Sequence, residues 1–129
     1  MLFSVVGLFW QGPLVLAISR KNNHEDLGLP GGKIDPGETP EQALARECLE
    51  EIGVRLKQFG PIFDHLDRIE GNERRPCRCF AVSTWEGDPE SKEGAKVVWV
   101  EPARLLEPSC SFRDYNRALF KHIGVLKES

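Results

Sequence analysis

Apolar residues run almost unbroken through residues 2–10 (LFSVVGLFW) and again through residues 14–19 (LVLAIS), with Gln11-Gly12-Pro13 between them. Two such β-branched and aromatic runs parted by turn residues predict neighbouring strands or a hairpin. Residues 54–59 and 61–69 have the same character, the second alternating loosely, and residues 79–85 repeat it, so the polar residues 72–75 predict the tip of a hairpin. Residues 86–94 are rich in Glu, Asp, Gly and Pro and predict a loop before a short strand at 97–100. Two stretches have helical period instead. Residues 112–123 place Phe112, Tyr115, Leu119 and Ile123 three or four apart, with Arg113 and Asp114 between, which predicts a terminal helix packed on a sheet. A brief helical turn is expected at 102–106. No repeat, low-complexity segment or linker interrupts this order, so residues 1–129 predict one domain mixing strands and helices.

The other helical stretch has the clearest boundaries. Thr39 can cap, Pro40 suits the first helical position, Gln42 closes a capping box, and Gly53 is a natural stop. Between them Glu47, Glu50 and Glu51 stand at i, i+3 and i+4, within an arc of roughly 100°. Ala45, Cys48, Leu49 and Ile52 are expected on the opposite, buried arc. Like charges at this spacing repel by about 0.2–0.5 kcal/mol per pair. A solvated acidic face is the ordinary explanation of such a triad; a divalent cation, which takes hard carboxylate oxygens, is the other.

Composition narrows the setting. The chain is 40% hydrophobic and 29% charged with a net charge of −3, ordinary for a globular protein and contrary to broad electrostatic binding of nucleic acid. No apolar run approaches the roughly 20 residues that span a bilayer, so no membrane association is expected. The opening MLFSVVGLFW lacks a basic leader and a small-residue cleavage site, and reads as a strand rather than a signal peptide. Cys48 falls on the apolar arc as a buried thiol, and Cys77 and Cys79 are too close in sequence for a zinc knuckle. The four cysteines therefore predict a reducing, cytoplasmic setting.

The sequence around the triad decides between its two explanations. Gly32, five residues, Glu38, seven residues, Arg46-Glu47, two residues, Glu50-Glu51, one residue and Gly53 resemble the Nudix box over its full length. Seven matched identities arise by chance about once in 10⁸ starting positions. One departure is Cys48, where the family usually has a larger aliphatic residue; this affects core packing and not the chemistry. The resemblance implies an α/β (α+β) fold, the Nudix-type α/β/α sandwich with a mixed sheet between helices, which suits the strands and helices above. It also implies Mg²⁺ or Mn²⁺, with more than one ion per site, and a small-molecule nucleotide substrate. In its terms Glu47, Glu50 and Glu51 bind the cations, Glu47 activates the attacking water, Arg46 holds Glu47, and a carbonyl of Gly31 or Gly32 completes the metal shell. Physically, cations at such a site neutralise pyrophosphate, acidify water and align in-line attack. No covalent nucleophile is needed, and neither Cys48 nor any Ser-His-Asp set offers one.

A narrower resemblance, to MutT-like nucleoside triphosphate pyrophosphohydrolases, bears on the residues outside the box. Residues 85–89 (WEGDP) followed by Lys92-Glu93-Gly94 look like the loop that donates a further metal-binding glutamate, here Glu93; without it, Glu93 reads as a solvated loop residue. Phe112, three residues and Asn116 resemble the segment whose Asn pairs with a purine base, against the alternative of a polar residue on the exposed side of the helix. Arg20 and Lys21 read from position alone as a solvated strand end; the resemblance makes them phosphate contacts, with Lys33 as a further one. Glu38 has three readings: orienting the loop, binding metal, or lying on the surface. Arg68, Arg74, Arg75 and Arg78 make a basic hairpin, solvated by default and otherwise suited to a longer phosphate substrate. The leading expectation is cleavage of a nucleoside triphosphate, with oxidised purine nucleotides in view. Open alternatives are ADP-ribose, a nucleotide sugar, a dinucleoside polyphosphate and, less favoured, a 5′-triphosphate RNA end. A non-catalytic nucleotide sensor is the alternative of another class. Monomer and homodimer both stay open.

Overall fold

The computed structural model describes residues 1–126. At its centre lies β1 (Ser4–Gln11), paired in parallel with β6 (Glu73–Glu86) from Ser4–Cys77 to Phe9–Val82. Its other edge is shared: β4 (Gly31–Lys33) pairs antiparallel with its start, and β2 (Leu14–Arg20) makes a hairpin with its end. β2 carries β3 (Asn23–Gly28) and β7 (Val97–Val100), both antiparallel, and β5 (Arg55–Glu70) pairs antiparallel with β6 at the far edge. The sheet is mixed, as expected.

One helix covers each face. α1 (Pro40–Ile52) packs Ala43, Leu44, Cys48 and Ile52 against Val5, Phe9 and Phe80. α2 (Arg113–His122), with the 3₁₀ turn Pro102–Leu106, packs Leu105, Leu119 and Phe120 against Leu8 and Cys79 on the opposite side. Burial on both faces explains why β1 reads as a continuous apolar run. The α1 boundaries follow from its sequence: Thr39 Oγ1 accepts the Gln42 N–H at 3.1 Å, Gln42 Oε1 accepts the Thr39 N–H at 2.9 Å, and Gly53 ends the helix in the left-handed region at φ 69°.

Four elements differ from expectation. The runs 54–59 and 61–69 form one strand, β5, whose register shifts absorb the Gly60-Pro61 break. Proline is tolerated because β5 is an edge strand. β3 and β4 were not expected, since Asn, Asp and Gly disfavour strands; pairing with Ile18–Arg20 and with Ser4–Val6 creates them. The buried arc of α1 is also rotated. Ala43, Leu44, Cys48 and Ile52 are fully buried, whereas Leu49 is 49% exposed and Ala45 lies at the margin. At about 100° per residue, Glu47 and Glu51 fall between Ala43 and Leu44/Cys48, within the inward-facing arc.

Candidate active site

That rotation places two carboxylates under the sheet edge instead of in solvent. Glu47 has 17% of its side chain exposed against 60% for Glu50, and its carboxyl lies directly over Gly32. A Cβ on Gly32 would stand 2.5 Å from the Glu47 carboxyl carbon, so only glycine permits this approach. Gly31 is packed as tightly from the other side, since a Cβ there would stand 2.0 Å from the Val5 carbonyl oxygen. The Gly31 N–H donates to Glu51 Oε1 at 3.0 Å, joining β4 to α1 at the site.

Arg46 organises the loop ahead of the helix. Its Nε and Nη2 donate to the two Glu38 oxygens at 2.7 and 2.9 Å, a fork geometry that suits guanidinium and carboxylate. Nη1 donates to Glu47 Oε1 at 2.9 Å and Nη2 also donates to the Lys33 carbonyl at 3.1 Å. Glu38 in turn accepts the Asp35 N–H at 2.8 Å. Of its three readings, the loop-orienting one describes these contacts, and the Arg46 pairing holds the Glu38 carboxyl at about 2.

Burial pushes Glu47 up despite its Arg46 partner. Burial likewise raises Glu51 to about 7, opposed by the Gly31 N–H and reinforced by the charges of Glu47, Glu50 and Glu93. No basic residue occupies the last turn of α1, so the helix dipole adds to the cost of these anions. Partly buried carboxylates that repel one another, beside a glycine pair open to close approach, are hard-oxygen chemistry that fits a divalent cation. Among the described residues no three His, Cys, Asp or Glu side chains converge as a formed metal cage. Glu47 and Glu51 turn an oxygen to Arg46 and to Gly31, and Glu93 pairs with Lys21.

Two adjoining depressions open from Gly31. An outer cleft of about 440 Å³ is lined by Glu51, Glu93, Arg20 and Lys21. An inner pocket of about 280 Å³ is lined by Gly32, Lys33, Asp67 and Asn116. Arg20, Leu29, Gly31 and Phe112 border both. The structure thus brings together Glu51, Glu93, Arg20, Lys21, Gly31, Gly32, Lys33 and Asn116, with Glu47 behind Gly32. Glu50 borders neither depression and faces the loop that contains Asp88 and Lys92, yet its Oε2 lies 3.6 Å from the Arg46 Nη1 that also holds Glu47. Asn116 is 2% exposed, so the reading that put it on the outer side of the helix is overturned; its Nδ2 donates to the Leu105 carbonyl at 3.2 Å. Lys33 lies over the Phe3 ring, and Arg20 over that of Phe112.

Two buried carboxylates escaped sequence analysis. Asp26 accepts Arg20 Nε at 2.9 Å and the Ser111 N–H at 2.8 Å, and also the Ser111 hydroxyl, tying β3 to the approach to α2. Burial alone would raise its pKa, but these bonds outweigh it and leave the carboxyl below its usual range. Asp67, on β5, is pushed up to about 6 by burial. Neither lies in a motif; the partners that bury them come from distant segments.

The NUDIX domain pattern matches residues 3–119. The chain is 40% identical over 74 residues to the 8-oxo-dGTP diphosphatase of Escherichia coli (strain K12), a stretch covering 57% of each protein. It is 33% identical over 102 residues to the 8-oxo-dGTP diphosphatase of Buchnera aphidicola, covering 78% of this chain and 76% of that one. The match to the Escherichia coli relative thus spans less than two thirds of that protein's length. The crystal structure of a MutT NUDIX hydrolase from Burkholderia pseudomallei superimposes with a TM-score of 0.76 at 24% identity, over 93% of this chain and 95% of that one, which shows the same fold. With the pattern extending from β1 to α2 and the box folded as a glycine-paired loop running into the capped, acid-bearing α1, this chain belongs to the Nudix family.

Proposed function

We propose that this chain is a divalent-metal-dependent nucleotide pyrophosphohydrolase that cleaves a nucleoside triphosphate to the monophosphate and pyrophosphate, with oxidised purine nucleotides as the leading substrates. The observation that carries the reading is the continuity of the two depressions. The outer one presents Glu51 and Glu93 beside the cations Arg20 and Lys21, and the inner one presents a buried amide, Asn116. A nucleotide is charged at one end and an edge-patterned ring at the other, and this trough is arranged in the same way. The relatives named 8-oxo-dGTP diphosphatase support the substrate class.

Members of the family generally use divalent metal ions. Here Glu47, Glu50, Glu51 and Glu93, with a carbonyl of Gly31 or Gly32, would hold Mg²⁺ or Mn²⁺, Glu50 by turning inward. Such ions supply charge neutralisation at the phosphoanhydride and favour deprotonation of the attacking water. Glu47 takes the proton from that water as the oxygen attacks phosphorus and the bridging P–O bond breaks, releasing pyrophosphate. Arg46 keeps the Glu47 carboxylate aimed, and Glu38 keeps Arg46 in place. Arg20, Lys21 and Lys33 take the phosphates, and Asn116 takes the base.

The test is hydrolysis of a panel of canonical and oxidised nucleoside triphosphates, nucleotide sugars, dinucleoside polyphosphates and 5′-triphosphate RNA with Mg²⁺ or Mn²⁺, products resolved by mass in ¹⁸O-water. Monophosphate and pyrophosphate from a triphosphate are expected, the label reporting which phosphorus is attacked. Turnover confined to nucleotide sugars, or silence across the panel, overturns the reading.

A further inference from the structure

The inner pocket contains a carboxylate that the reaction does not use. Asp67 is 8% exposed and lines the same cavity as Asn116. One of its oxygens accepts the Arg68 N–H at 2.8 Å. Among the described residues its second oxygen has no hydrogen-bond donor, yet no fully enclosed side-chain polar atom there lacks a partner. That oxygen is therefore open to the pocket. The Tyr115 hydroxyl, on the same wall, is committed to the Cys77 carbonyl at 3.0 Å and does not serve it. Charges of Arg74 and His65 favour the ionised carboxyl and that of Asp114 opposes it.

A carboxylate only accepts hydrogen bonds, so whatever fills this pocket must bring donors. Burying an ionised group against an acceptor is strongly penalised, which makes the requirement selective. Guanine-type rings carry two adjacent donors, N1–H and the exocyclic N2 amino group. Adenine shows the acceptor N1 beside the donor N6, cytosine pairs one donor with an acceptor, and thymine has a single N–H between two carbonyls. Only the guanine edge satisfies a carboxylate through two neighbouring contacts. Asn116, with one amide hydrogen on Leu105, keeps its oxygen and second hydrogen for another part of the ring.

We propose that Asp67 is a base-specificity residue, its buried carboxylate accepting N1–H and the N2 amino group of a guanine-type ring held beside Asn116. The inference rests on the nucleotide reading of this trough and deepens it. At pH 8, above the raised pKa of about 6, Asp67 is ionised and ready to accept.

Calorimetric binding of dGMP, dIMP and dAMP to the wild-type chain at pH 8 tests it without a variant. dIMP keeps N1–H and lacks only the N2 amino group, so a contact to a charged group predicts binding weaker than that of dGMP by about 10-fold or more. In the isosteric Asp67→Asn variant that gap is expected to close to less than about 3-fold, with dAMP gaining relative to dGMP, because an amide also donates. A carboxylate with a purely structural role would leave the dGMP-to-dIMP ratio unchanged. Equal binding of the two by the wild type, no binding of either, or an unchanged ratio in Asp67→Asn overturns the inference. Hydrolysis is scored separately. Turnover of triphosphates without guanine discrimination leaves the pyrophosphohydrolase standing and sinks the Asp67 role, and discrimination without turnover does the reverse.

Discussion

Glu51 offers the sharpest test of the acidic site, because its burial should make the metal-free protein less stable than a variant that cannot work. Its carboxyl pKa rises from 4.5 to about 7 on folding, through burial and the charges of Glu47, Glu50 and Glu93. A proton is thus held by the folded chain and not by the unfolded one between those two values. Stability contributed by Glu51 is fully present below about pH 4.5, falls as pH rises, and is gone above about pH 7. At 1.36 kcal/mol per pKa unit the loss is up to about 3 kcal/mol. Glu51→Gln removes the charge while its amide oxygen still accepts the Gly31 N–H, a bond weakened by about 1 kcal/mol when the acceptor is neutral. The expected net gain is about 1–3 kcal/mol at pH 8, which for a chain of this size is a melting temperature higher by about 3–10 °C. Thermal melts in EDTA at pH 5 and pH 8 measure it: the two proteins should nearly coincide at pH 5 and separate at pH 8. Added Mg²⁺ should raise the wild-type melting temperature at pH 8 and move the variant much less, since binding to the folded state alone stabilises it. Hydrolysis by the variant should be lost. A variant that melts at or below wild type at pH 8 in EDTA, or with the same pH slope, would refute the reasoning.

Gly32→Ala should displace the Glu47 carboxylate, its Cβ falling 2.5 Å from the carboxyl carbon, and lower kcat by about 100-fold with KM little changed; steady-state kinetics decide, and equal loss in both constants counts against it. Arg46→Lys keeps the charge but loses the fork to Glu38 and the reach to Glu47, so a fall in kcat/KM of roughly 10-fold or more is expected, which a wild-type rate in the variant would contradict. All four cysteines are buried and free, and burial pushes the thiols of Cys48, Cys77 and Cys79 up. A thiol reagent should therefore leave the native chain unlabelled and active, and Cys48→Ala should keep wild-type kcat; labelling coupled to inactivation would speak against this.

Much of this molecule was legible because the controlling interactions are local. Thr39, Pro40, Gln42 and Gly53 bound α1 through bonds that span no more than four or five residues, so their spacing alone predicts the helix. The residues of the box are equally a local pattern, and with them came the family, the fold and the acidic chemistry. What could not be read is what distant segments impose on one another. β3 and β4 are poor strand sequences that exist because β2 and β1 offer them edges, and β5 continues through Pro61 because an outer strand can lack that donor.

The same division runs through the site. Sequence determined which side chains stand at i, i+3 and i+4 on α1, because helix geometry is set by the backbone. Only the tertiary structure decided which of them faces inward: Leu49 lost its place in the core, and Glu47 and Glu51 took positions beside Ala43, Leu44 and Cys48. Their raised pKa values follow from that burial and from no property of the residues themselves. Asp67 and Asn116 show it most plainly, since they meet in one pocket from β5 and α2, far apart in sequence. A carboxylate or an amide on a strand or helix carries no local sign of whether it will be solvated or enclosed; desolvation is a property of the packed assembly, and packing alone assigns it.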